Sequence, residues 1–112
     1  MSMYPDISIT PERSSTCIWR IDEELKEKVE EHQIHGDLID SDGVVIVCNN
    51  TVIYPFNYMG FEIWSKCNGT NSISDIVDYL YEKYDTNKNL LIDQTSQFIK
   101  DAEENGLLIC QK

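Results

Sequence analysis

The sequence predicts an α+β domain in which a small antiparallel three-stranded sheet comes first and three helices follow. Three observations carry this. Between residues 44 and 56, two short β-branched runs flank a pair of asparagines, "VVIVC-NN-TVIYPF". From residue 57 onward, apolar residues recur at helical spacing in three successive segments. Punctuation sits between them: Gly69 and Gly106 after the first and third segments, and Ser72 with Asp75 in a capping-box pattern ahead of the second.

The totals bound what such a domain can do. At 112 residues the chain has room for one core. Its apolar fraction of 41% is that of an ordinary globular protein. No apolar run approaches the ~20 residues of a membrane span. The opening "MSMYPDISIT" lacks the basic start and apolar segment of a secretory signal, so a cytoplasmic location is expected. Twenty acidic residues against nine basic ones give a net charge of −11. Affinity for a nucleic-acid duplex comes largely from lysine and arginine neutralising phosphates, so this balance argues against DNA binding.

In chain order, residues 1–16 are polar, with Pro5, Pro11 and a serine–threonine run, and read as a flexible N-terminal arm. Residues 17–112 then form the single domain. "CIWRI" (17–21) suits a strand. "DEELKEKVEEH" (22–32) is a charged helix with a thin apolar stripe of Ile21, Leu25 and Val29, fitted to cover an edge rather than to build core. "DLID" is strand-like and precedes the turn signal "SDG". Val44 to Val47 is an unbroken β-branched run, as in a strand covered on both faces. A two-residue turn at Asn49–Asn50 leads to a strand over 51–56. Pro55 has no N–H to donate, which places that strand at a sheet edge.

Asn57 then caps a helix that sets Gly60, Ile63, Trp64 and Cys67 on one face. The next helix has the clearest period in the chain: Ile73, Ile76, Val77, Leu80 and Tyr84. The last is expected over 91–105, with Leu91, Thr95, Phe98 and Ala102 on the packed face and Ile92, Ser96, Ile99 and Glu103 beside it. "LLIC" (107–110) ends the domain as a short strand or apolar tail. Strands followed by three helices give the outline of a winged helix-turn-helix.

The chemistry-bearing motifs point away from catalysis. No phosphate-binding glycine loop, nucleophile elbow or three-cysteine cluster is present. "DSDG" (40–43) starts like a calcium loop but lacks the closing glutamate, and a turn explains it better. Cys17, Cys48, Cys67 and Cys110 are scattered and form no C-x-x-C pair. His32 and His35 are spaced for one helix face but lack a third ligand. No catalytic residue, metal site or cofactor is expected. An open strand edge beside an amphipathic helix is instead a receptacle for an extended peptide.

Three segments resemble one known family: "NYMGFEIWSKCNG" (57–69), "SISDIVDYLYEKYD" (72–85) and "FIKDAEENGLL" (98–108). Their ordered set, with Asn57, Gly60, Glu62, Ile63, Trp64, Gly69, Ile76, Val77, Leu80, Tyr84, Asp85, Phe98, Gly106, Leu107 and Leu108 in place, is similar to the PqqD family, also called the RiPP recognition element. The resemblance covers 44–108 best; 17–42 is longer and more acidic than the family pattern. Lys66 stands where an apolar residue is common, and Pro55 lies inside the accepting strand.

The resemblance implies a standalone module, not an enzyme. It would bind the leader of a ribosomally made precursor peptide and present it to a modifying enzyme, often of the radical S-adenosylmethionine type. The leader would add to the strand carrying Val52, Ile53, Tyr54, Pro55 and Phe56. It would lie against the last helix at Leu91, Ile92, Thr95, Ser96 and Ile99, with its apolar side chains entering between Tyr54 and Ile99. No nucleic acid or membrane partner is implied; an open edge permits a monomer or weak homodimer. Two other readings stand beside it: an acidic winged-helix regulator or protein-interaction module, and a thiol redox or metal protein using Cys48, Cys67 or Cys110.

Overall fold

A computed structural model describes residues 6–34, 43–84 and 86–111, with side chains of residues 32–34 excepted. Among them are five strands and four helices: β1 (Thr10–Arg13), β2 (Ile18–Ile21), α1 (Glu23–Ile34), β3 (Val45–Asn49), β4 (Val52–Phe56), α2 (Tyr58–Lys66), α3 (Ile73–Lys83), α4 (Lys88–Glu104) and β5 (Leu108–Gln111). Both sheets are antiparallel: β2-β3-β4 and β1-β5. The α+β class and the three-stranded sheet agree with expectation, and α1 is the charged helix read from residues 22–32. The expected "DLID" strand lies outside the described residues. The chain divides into two units, residues 15–64 and residues 1–14 with 65–112. The single domain expected over 17–112 is to that extent subdivided.

In the unit of 15–64, β3 is central and its burial alternates. Val45, Val47 and Asn49 are buried, while Ile46 and Cys48 are half-buried. Val29 of α1 packs with Val44 and Tyr58, with Leu25 and Phe61 alongside. The acidic helix therefore contributes to core, contrary to the expected edge cover. Tyr58 donates its hydroxyl to a Glu30 oxygen at 2.8 Å and so holds helix to helix. Trp64 is fully buried, with the Trp19 ring edge-on at 6.0 Å and Phe56 tilted at 5.8 Å. Such aromatic pairs add about 0.5–1.5 kcal/mol beyond their area. The N–H groups of Gly43 and Val44 both donate to the Phe56 carbonyl at 3.0 Å. This is the two-on-one count of a bulge, and Gly43 supplies its φ of +100°.

The hairpin turn is one residue later than the sequence suggested. Asn49 pairs with Val52, so the loop is Asn50–Thr51, with φ of +51° and +67°. Positive φ at both central residues is the requirement of a type I′ turn. A turn at Asn49–Asn50 would have set Pro55 opposite Val44 in a position that needs an N–H. The shift puts Pro55 opposite Ile46, in a pair that exchanges no main-chain bonds.

In the other unit, β1 corrects the reading of 1–16 as a loose arm over part of its length. Thr10–Arg13 pairs along all of β5, from Thr10↔Gln111 to Arg13↔Leu108. Arg13 and Ser14 donate their N–H groups to the Cys67 and Leu107 carbonyls, and Ile73 and Ser74 donate to Ile9 and Ile7. Nothing in a polar stretch with prolines announces this, because β1 is held by main-chain bonds rather than by an apolar pattern. Ser72 and Asp75 close the expected capping box on α3. Ile73, Ile76, Val77 and Leu80 are buried as expected. Gly69 and Gly106 have φ of +83° and +77°, as helix stops should.

Helix α4 starts three residues earlier than expected because the Asn87 side chain accepts from the N–H groups of Asn89 and Leu90. Its packed face is also turned. Leu91, Thr95, Ile99 and Ala102 are buried, whereas Phe98 is half-buried. At about 100° per residue the packed arc is rotated by about 25° from the expected one, bringing Ile99 in and moving Phe98 to its margin.

Candidate functional site

The strand half of the expected site is β4. It is an outer strand of its sheet, bonded to β3 on one side only among the described residues. Val52 and Ile53 are 49% and 64% exposed, Pro55 is exposed, and Tyr54 and Phe56 are half-buried. Side chains alternate, so Tyr54 and Phe56 share the face on which Phe56 meets Trp64, while Ile53 and Pro55 stand on the opposite face. An open edge of main-chain donors and acceptors flanked by uncovered apolar side chains is what strand addition needs. It is also an aggregation hazard if left without a use.

The helix half falls on α4, in the other unit. Three of its five expected residues, Leu91, Thr95 and Ile99, are buried. Ile92 and Ser96 are half-buried on the flank of that arc. Ile99 is thus a packing residue, which corrects the expectation that it stands beside the packed face. The reason is the rotation of α4: the sequence period fixes that one side is apolar but leaves its centre uncertain by a residue's turn. Thr95 is fully buried and its hydroxyl, like that of Ser96, has no hydrogen-bond partner.

Cys67 and Cys110 are poorly set up for thiolate chemistry. Burial pushes the Cys67 thiol from 9.0 up to about 12, with the Arg13 charge opposing it. Burial, and then a hydrogen bond with Glu103, lifts Cys110 to about 12 as well. The thiolate is the nucleophile and the metal ligand, so neither group is primed for such work near neutral pH. Among the described residues no three His, Cys, Asp or Glu side chains come together as a metal site. The His32 and His35 side chains lie outside the description. Among the described residues no helix is long and apolar enough to cross a membrane.

The family model described as coenzyme PQQ synthesis protein D (PqqD) matches residues 42–108, more than half of the chain and nearly the span expected from the motifs. No curated protein and no solved structure matches.

Proposed function

The chain belongs to the PqqD family, and from that premise we propose that it binds the leader of a ribosomally made precursor peptide by strand addition at β4. Membership itself implies an accessory, peptide-binding role in the maturation of such peptides, alongside a modifying enzyme. The finer reading is a standalone module that adds the leader as a fourth strand next to β4. It then presents the rest of the peptide to a tailoring enzyme of the radical S-adenosylmethionine or another type. The single observation that supports this most is the outer position of β4, with Val52, Ile53 and Pro55 exposed along it.

Of the helix residues that the resemblance implies, Ile92 is half-buried, Leu91, Thr95 and Ile99 are buried, and the Ser96 hydroxyl is buried as well. The order of β2, β3 and β4 followed by α2, α3 and α4 supports a winged helix-turn-helix in which the helices are scaffold. With a net charge of −11, that scaffold is poorly suited to a phosphate backbone. The protein carries out no turnover of its own in this reading, and works in the cytoplasm as a monomer or weak homodimer.

The test is calorimetric titration with the leader and core halves of any short precursor peptide encoded next to this gene. Micromolar or tighter binding by the leader half, and none by the core half, supports the proposal. Binding by the core half alone, or sequence-selective DNA binding at physiological salt, sinks it.

A further inference from the structure

The register of the three-stranded sheet decides which main-chain groups β4 leaves open. Asp22 donates its N–H to the Val44 carbonyl at 2.8 Å. The main chains of Ile46 and Cys48 therefore turn toward β2, and those of Val45, Val47 and Asn49 toward β4. Their partners Phe56, Tyr54 and Val52 are bonded inward. A two-residue turn closing on the Asn49–Val52 pair demands the same parity. Ile53 and Pro55 are left pointing outward. Pro55 has no N–H. The open edge of β4 thus presents the N–H and carbonyl of Ile53 and the carbonyl of Pro55.

The side chains add a second constraint. Directly paired residues share a face, so Ile18, Cys48 and Ile53 form one cross-strand row, and Arg20, Ile46 and Pro55 the next. Ile18 is 77% exposed and Ile53 64%, large values for isoleucine. The first row reaches the open edge with an uncovered apolar side chain.

We infer that the Ile53 N–H, the one donor that β4 turns to its open edge, sets the register of the added peptide, and that the peptide residue beside Ile53 carries a large apolar side chain extending the Ile18–Cys48–Ile53 row. This rests on the reading of β4 as the accepting strand. A peptide slipped by two residues would set its carbonyl against Pro55, where no donor answers and an acceptor goes unpaired. A slip by one would turn its apolar side chains to the wrong face. The chain's charge of −11 adds that the peptide's flanks are basic or uncharged, because acidic flanks would be repelled.

The probe is a fluorescein-labelled synthetic peptide with a central leucine and basic or uncharged flanks, titrated against the wild type and three variants. Ile53→Pro removes the outward N–H while leaving the hairpin bonds intact, as Pro55 already does. Ile53→Thr keeps the N–H and removes apolar surface. Pro55→Val restores a second outward donor. The expected results are a loss of roughly tenfold or more for Ile53→Pro, a loss of about threefold for Ile53→Thr, and tighter binding for Pro55→Val. In the wild type, exchange of the Ile53 amide with solvent slows at least about tenfold when peptide is added. Wild-type affinity in Ile53→Pro overturns the inference while peptide binding stands. Failure of the wild type to bind overturns both. If Ile53→Pro does not fold, the wild-type amide decides: protection on peptide addition supports the inference, and unchanged exchange contradicts it.

Discussion

Thr51 holds a conformation that its side chain resists, and relieving it should stabilise the protein. Its φ of +67° lies in the left-handed region, which is a true outlier for a β-branched residue. A non-glycine residue held there costs of order 1–3 kcal/mol. Thr51→Gly removes that cost but gives back roughly 0.5–1 kcal/mol through the greater freedom of glycine in the unfolded chain. The net expectation is a gain of about 0.5–2 kcal/mol, or a rise in Tm of about 2–8 °C for a chain of this size. The Asn-Gly pair so created is the preferred type I′ sequence. Thermal unfolding followed by circular dichroism measures the shift, and calorimetric titration should find peptide affinity unchanged. Thr51→Val should gain nothing. A Thr51→Gly protein less stable than the wild type would refute the turn, and with it the parity that points Ile53 outward.

Other expectations follow from the same geometry. Ile99→Asp should unfold the protein, because Ile99 is 2% exposed and a buried unpaired charge is costly; Ile99→Ala should cost about 2–5 kcal/mol in urea unfolding. Phe98→Ala should cost less than the ~3 kcal/mol of a fully buried phenylalanine, since Phe98 is only half-buried; the reverse order would place α4 differently. Ser72→Ala breaks the capping box of α3 and should cost about 1 kcal/mol. Cys67 has a folded-state pKa raised from 9.0 to about 12 by burial, so the stability it contributes is complete below pH 9 and is lost as pH rises toward 12. Cys67→Val should therefore flatten the alkaline limb of a stability–pH curve, and an unchanged limb would count against that burial.

Much of this architecture is legible in the sequence where local chemistry and period agree. α3 shows both, with Ser72 and Asp75 at its start and Ile73, Ile76, Val77 and Leu80 down one side. The edge position of β4 follows from Pro55 alone. The position of the turn was also encoded there. Two asparagines invite a turn on themselves, yet that choice sets Pro55 where an N–H is needed, and the chain accepts a left-handed Thr51 instead. Two features had weaker signals. β1 is held by pairing with β5 across the length of the sequence, and pairing at such separation leaves no local pattern. The centre of the packed arc on α4 depends on neighbours, because Phe98 and Ile99 are equally apolar and adjacent. For the same reason Leu91, Thr95 and Ile99, expected on the helix side of the site, turn out to be packed, whereas β4 keeps the exposed edge that Pro55 announces.

The central claim is that a peptide becomes the neighbour of β4. It is tested most directly by nuclear magnetic resonance on isotope-labelled protein with an unlabelled leader peptide. The account predicts cross-strand contacts between peptide α-protons and those of β4, together with amide shifts concentrated at Val52, Ile53 and Tyr54. Shifts confined to α1 or to the outer edge of β2, with β4 unchanged at saturating peptide, would contradict it.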